Sequence, residues 1–212
     1  MLKVNEIFQS IQGESSYAGF PCVFIRLSGC NLRCSYCDTA YAYKEGTLWL
    51  VRDIVKAVSL HEIPLVEITG GEPLDQEETP LLAESLLDTG YSVLVETNGT
   101  KDISLLPAGV TRIMDIKCPG SGEQGKTDWG NMDRLSADDE VKFVICGEAD
   151  YIWAREVLKK YGLAGKSKVL FSPAHGRLQS SDLAGWILRD RLPVRLQLQL
   201  HQILWPESGR AK

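Results

Sequence analysis

The chain is predicted to be an α/β protein, a single-domain open partial (β/α) barrel with a mostly parallel sheet. Three observations point to it. Short runs rich in β-branched residues alternate with longer helical stretches, and parallel neighbours need crossovers of that length. Fewer than eight clear repeats are present, too few for a closed barrel. Glycine and polar residues gather directly after the strand runs, which places the chemistry at the carboxyl rim of the sheet.

In chain order, the strands are "CVFIRL" (22–27), "LVEIT" (65–69), "SVLVET" (92–97), "TRIMDIK" (111–117), "EVKFVI" (140–145), "KVLFS" (168–172) and "VRLQLQL" (194–200). Each is four to seven residues long and apolar or alternating. Helices are expected over Val51 to His61, Glu77 to Leu87, Ala149 to Tyr161 and Ser180 to Arg191. In the third, Ile152, Val157, Leu158 and Tyr161 approximate one face and Gly162 supplies the stop. No repeat, low-complexity tract or linker divides the chain, and 212 residues suit one core.

Apolar residues make up 44% of the chain and charged residues 24%, ordinary globular values. With 28 acidic and 23 basic residues the net charge is -5, which discourages binding to nucleic acid or an anionic membrane and favours a small-molecule partner. No apolar run spans a bilayer and the N-terminus has no signal-peptide pattern, so a cytoplasmic location is expected. There the six cysteines sit in a reducing compartment, which turns clustered thiols toward metal or catalysis. Cys22, Cys118 and Cys146 lie in or beside apolar runs and read as packing residues.

The other three lie together in "SGCNLRCSYCDT": Cys30, Cys34 and Cys37 fall within eight positions. A closed tetrahedral site wants four ligands, whereas a four-iron cluster on three thiolates keeps one iron for a substrate or cofactor. By spacing alone, zinc held by these cysteines and a distant histidine such as His61 stays open. A second string, "GSGEQGKT" at Gly120 to Thr127, fits the phosphate-loop pattern, but Pro119 precedes it and Gly130 and Asn131 oppose the helix that pattern requires.

Cys30-x-x-x-Cys34-x-x-Cys37, with Tyr36 before the last cysteine, resembles the cluster loop of the radical S-adenosylmethionine (SAM) enzymes, and "TGGEP" (Thr69 to Pro73) resembles their loop for the methionine amino group. The resemblance narrows to the 7-carboxy-7-deazaguanine synthase (QueE) family through "EIFQSIQGE" (6–14), Arg26, "CDT" (37–39), "ETNGT" (96–100), "DIKCPGSGE" (115–123) and "QLHQILWP" (199–206). It implies a carbon–nitrogen lyase of queuosine biosynthesis that converts 6-carboxy-5,6,7,8-tetrahydropterin to 7-carboxy-7-deazaguanine with loss of ammonia. It further implies a [4Fe-4S] cluster on Cys30, Cys34 and Cys37, SAM, and Mg²⁺ at Thr39.

Around SAM the family pattern places Tyr36, Asp38, Gly70, Gly71, Glu72, Asp115, Lys117, Ser172 and His175. Around the substrate it places Ile11, Gln12, Gly13, Glu14, Arg26, Thr69, Glu96, Asn98 and His201. An N-terminal substrate-binding segment (1–20) and a C-terminal pocket-closing segment (199–212) would flank the barrel. A homodimer and an electron donor such as a flavodoxin or ferredoxin complete the expectation. The rival readings are a glycyl-radical activase, a zinc or iron-sulfur module without catalysis, and a phosphate-loop NTPase.

Overall fold

In the computed structural model, which describes residues 1–206, nine strands form one sheet in the order β3-β1-β2-β4-β5-β6-β7-β8-β9. They are β1 (Leu2–Ile11), β2 (Pro21–Leu27), β3 (Thr47–Trp49), β4 (Leu65–Gly70), β5 (Ser92–Thr97), β6 (Thr111–Ile116), β7 (Glu140–Ile145), β8 (Lys168–Pro173) and β9 (Arg195–Leu196). From β2 across the sheet to β9 each neighbouring pair is parallel, while β1 runs antiparallel to both β2 and β3. Because β3 and β9 stand at opposite edges without pairing to each other, the barrel is partial and open.

The helices α1 (Val51–Ser59), α2 (Thr79–Asp88), α3 (Glu148–Tyr161) and α4 (Ser180–Asp190) lie where the sequence predicts them, and a short α5 (Leu200–Leu204) follows β9. In α3 the buried face is set by Tyr151, Ala154, Val157 and Leu158. Ile152, assigned to that face from sequence, is exposed. Residue 151 stands three, six and seven positions before 154, 157 and 158, so it belongs to their stripe and 152 does not. The long strand β1 was not expected: a bulge between Val4 and Glu6 breaks its period-two pattern. Conversely, the predicted strand over 194–200 shrinks to two residues before α5 begins.

Alternation along the strands separates two apolar regions. The larger packs the outer face of the sheet against the helices and includes Val23, Ile25, Val66, Ile68, Val95, Met114, Val141 and Phe143. The smaller, Cys22, Phe24, Leu65, Leu94 and Ile113 with Phe8 and Tyr17 against it, seals the concave face at the amino ends of the strands. Further along the same inward positions come Arg26, Glu67, Glu96, Asp115 and Lys142, so the barrel interior turns from apolar to charged toward the carboxyl rim. Among the cysteines assigned to packing, Cys22 and Cys118 are buried, but Cys146 is partly exposed, and its N–H donates to Asp150 Oδ2 at 2.9 Å. No helix among the described residues is long and apolar enough to cross a membrane.

Candidate active site

A cavity of about 290 Å³ opens at the carboxyl rim and reaches into this charged layer. At its outer part lies the cysteine loop, which follows β2. "TGGEP", which follows β4, packs directly against the start of that loop: Gly71 N–H donates to Leu27 O at 3.0 Å and Glu72 N–H to Gly29 O at 2.8 Å. Gly70 has φ +129°, and a Cβ there would sit 2.2 Å from Leu27 O; a Cβ on Gly71 would sit 1.6 Å from Gly29 O. The two glycines therefore answer to a backbone-on-backbone contact that fixes the cysteine loop. Gly71→Ala is expected to cost about 3 kcal/mol or more of stability, read by urea unfolding, because no side chain can yield to relieve the clash. Unfolding at the wild-type midpoint would show that the contact is dispensable.

Glu72 completes the brace rather than facing the cavity. Its carboxylate is buried and accepts hydrogen bonds from Leu74 N–H at 3.0 Å, Thr97 Oγ1 at 2.7 Å and Asn98 N–H at 2.7 Å, tying "TGGEP" to "ETNGT". Burial pushes its pKa up to about 7, against the pull of those donors. Asn98 in turn lies at the cysteine loop: its Nδ2 donates to Asn31 Oδ1 at 2.9 Å and approaches Cys30 Sγ at 4.0 Å.

The phosphate-loop string is a second brace. No α-helix follows it; the segment forms 3-10 turns at Pro119–Ser121 and Gln124–Lys126. Ser121 O and Gly120 O accept from Ser35 N–H and Oγ at 3.0 and 2.7 Å, and Glu123 accepts from Arg33 N–H at 2.7 Å while pairing with Lys126. From the loop after β8, Arg177 donates to Ser35 O at 2.6 Å. Lys126, the lysine that a phosphate loop would aim at a nucleotide, is largely exposed and pairs with Glu123 of its own loop at 3.0 Å.

Held in this way, Cys30, Cys34 and Cys37 all line the cavity as partly buried free thiols. Burial raises Cys30, and raises Cys34 to about 11, with the neighbouring thiols adding to both. Those thiols keep their protons until a cation replaces them. Among the described residues no three His, Cys, Asp or Glu side chains close on one point as a single metal ion would require. His61, the distant ligand considered for zinc, bonds Gln9 at 3.1 Å, and it precedes β4, at the end of the sheet opposite the cysteines. Three thiols on one loop are the donor set that a four-iron cluster takes.

Deeper in, Lys117 pairs with Asp115 at 2.8 Å, and Lys142 reaches Glu14 at 2.8 Å, Glu96, and Asp115 at 3.6 Å. Burial would lower Lys142, but these carboxylates outweigh it and hold its pKa well above the ordinary lysine value. Burial would likewise raise Glu14; Lys142, Gln199 and His201 bring it down to about 2. Glu67 goes the other way: burial and the nearby Glu96 push it well above the carboxylate range, leaving a neutral acid in contact with Gln12 Nε2. Arg26 is buried, pairs with Glu6 at 2.8 Å and lies over the Phe8 and Tyr41 rings.

Three buried polar atoms of cavity residues find no partner among the described residues: Tyr36 Oη, Asp115 Oδ1 and His201 Nε2. They lie toward the cysteine loop, the charged layer and α5, so a ligand filling the cavity would satisfy all three regions.

Of the residues predicted from sequence, Ile11, Gln12, Gly13, Glu14, Arg26, Cys30, Cys34, Tyr36, Cys37, Asp38, Thr39, Thr69, Gly70, Gly71, Glu96, Asn98, Asp115, Lys117, His175 and His201 all line this cavity. Glu72 and Ser172 do not; Ser172 is buried in β8. Gly13 admits α5, since its missing Cβ would lie 3.0 Å from His201 Nδ1. The part of the pocket-closing segment beyond Pro206 lies outside the described residues. Sequence reasoning missed Glu67, Lys142 and Gln199. The first two carried a usable signal, a charge at an interior position of an apolar strand.

Comparison with known proteins gives one consistent picture. Residues 24–174 match the Radical SAM superfamily. A 7-carboxy-7-deazaguanine synthase of Koribacter versatilis is 46% identical, covering 98% of this chain and 99% of that protein. One from Chlorobaculum tepidum is 44% identical over 99% of this chain and 96% of its own. The crystal structure of QueE from Escherichia coli shares the fold, with a TM-score of 0.77 at 22% identity over 93% of each chain.

Proposed function

Because the chain belongs to the 7-carboxy-7-deazaguanine synthase family of radical SAM enzymes, we infer that it converts 6-carboxy-5,6,7,8-tetrahydropterin to 7-carboxy-7-deazaguanine with release of ammonia, in queuosine biosynthesis. The observation that carries this reading is a single cavity joining three thiols to a buried arginine and a ring of carboxylates. A [4Fe-4S] cluster on Cys30, Cys34 and Cys37, with SAM bound, supplies one-electron chemistry and hydrogen-atom abstraction. What this chain does is bind, orient and exclude water.

Arg26 offers a planar fork to the substrate carboxylate, its position held by Glu6 and two aromatic rings. Glu14 and Glu96 accept N–H groups of the pterin, alongside backbone groups of Ile11 to Gly13. Gln12 supports them from within: its Oε1 accepts Glu14 N–H at 2.8 Å while its Nε2 donates to Glu67. Thr39 Oγ1, 3.7 Å from Cys37 Sγ, is a single neutral oxygen at the cavity wall, which suits Mg²⁺ that completes its shell with water and substrate oxygens. Asp115 Oδ1, Tyr36 and His175 face the place of SAM, and His201 closes the cavity beside Gly13. An electron-transfer protein such as a flavodoxin or ferredoxin supplies the electron, and the working unit is a homodimer.

Given iron, sulfide, a reductant, SAM and 6-carboxytetrahydropterin without oxygen, the protein is expected to form 7-carboxy-7-deazaguanine and ammonia one for one. SAM cleavage with neither product would keep the radical chemistry and overturn the substrate.

A further inference from the structure

The strands β4, β5 and β6 and the loop after β1 place four carboxyl groups in the deep part of the cavity, Glu67, Glu96, Asp115 and Glu14, and the cations facing them are Lys117, Lys142 and Arg26, with His201 at the α5 side. Lys117 is paired with Asp115 and Arg26 with Glu6. The remaining ammonium, Lys142, lies at the centre: it donates to Glu14 Oε2 at 2.8 Å and to Glu96 Oε1, and stands 3.6 Å from Asp115 Oδ2. A buried lysine is costly unless several anions surround it, so its position on β7 needs these partners as much as they need it.

Both carboxylates are fixed from a second side. Glu14 Oε1 accepts from Gln199 Nε2 at 2.9 Å, and Glu96 Oε2 accepts from Thr69 Oγ1 at 3.4 Å. An ionised carboxylate offers about four acceptor positions and no donor, so each retains lone pairs for a ligand. Acceptors braced in this way match a ring edge carrying neighbouring N–H donors and repel one carrying oxygen. Without Lys142, Glu14 and Glu96 would lose the cation that joins them, and like-charge repulsion would turn their oxygens away from the ligand.

We propose that Lys142 is a positioning residue that sets substrate specificity: by bracing Glu14 and Glu96 as acceptors, it makes the cavity select a 2-amino-4-oxo pyrimidine edge over a 2,4-dioxo edge. The proposal rests on the reading of the cavity as a pterin site. Its test uses the cluster-free protein and two fluorescent ligands, 6-carboxypterin and 6-carboxylumazine, which differ at that edge. Wild type is expected to prefer the pterin by about 100-fold or more, because a site built to receive a donor rejects the analogue that lacks it. In Lys142→Met the preference falls below about 3-fold, whereas general loosening would weaken both ligands alike.

Lys142→Arg keeps the charge on a longer, forked stem and is expected to retain a preference of about 10-fold. Should Lys142→Met lack a cooperative melt, Lys142→Arg decides alone. A wild-type preference that survives in the folded variant overturns the role of Lys142 and leaves the function intact. Wild type that binds neither ligand, or both equally, overturns the pterin reading and this proposal with it.

Discussion

Replacing Cys34 by alanine is expected to abolish turnover, by at least about 10⁴-fold, while 6-carboxypterin still binds within about twofold of wild type. The two outcomes separate because the structure separates their causes. Cys34 is a partly buried thiol on the loop after β2, and that loop is held by other groups: Arg33, Ser35 and Asn31 make its contacts with the "TNGT" and "GSGEQGK" segments and with Arg177. Loss of one sulfur removes a ligand without removing a brace. Arg26, Glu14 and Glu96, the residues proposed to face the pterin, belong to β2, the loop after β1, and β5. Iron content, steady-state turnover and fluorescence titration on one preparation check all three quantities. Retained turnover would mean that the thiol is not a ligand, and lost pterin binding would mean that the two ends of the cavity are not independent.

The second large effect is at Arg26. Arg26→Met is expected to raise the substrate KM by about 10²- to 10³-fold, since two charge-assisted hydrogen bonds to a carboxylate each contribute about 1.5–3 kcal/mol, less the cost of freeing Glu6. Lys in its place keeps the charge but loses the fork, and an intermediate KM follows. The substrate's own carboxylate provides a control. For an analogue without that group, wild type and Arg26→Met should differ by less than about threefold. Equal losses with both compounds would make Arg26 a structural partner of Glu6 alone.

Much of the site was legible because its signals are local. Cys30, Cys34 and Cys37 read from spacing within one loop, and the strand–loop units from runs of apolar residues ended by glycine or polar groups. The parallel core strands were found because burial on both faces removes ambiguity from their sequences. Strand β1 escaped for the opposite reason: it is bulged, and seven of its ten residues are only partly buried, so "LKVNEIFQSI" shows no steady period. The short β9 followed an alternation, "VRLQLQL", that tertiary context converts into a turn and helix.

Roles were harder to read than locations. Gly70 and Gly71 suggest close approach to a ligand, yet the backbone they approach is that of Leu27 and Gly29. Glu72 reads as a ligand contact in its motif and instead joins two loops. Which partner a polar group finds depends on strands distant in sequence: Lys142 meets Glu14 across 128 positions. The same separation explains why Lys142 and Glu67 went unnoticed, although a charge inside an apolar strand asks for such a partner.

The loop after β2 carries three thiols where a closed tetrahedral site takes four. Metal analysis combined with electron paramagnetic resonance of the reduced, reconstituted protein tests this most directly. About four irons per chain, with a spectrum that changes when SAM is added, is the predicted result. One zinc per chain, or an iron spectrum indifferent to SAM, would contradict it.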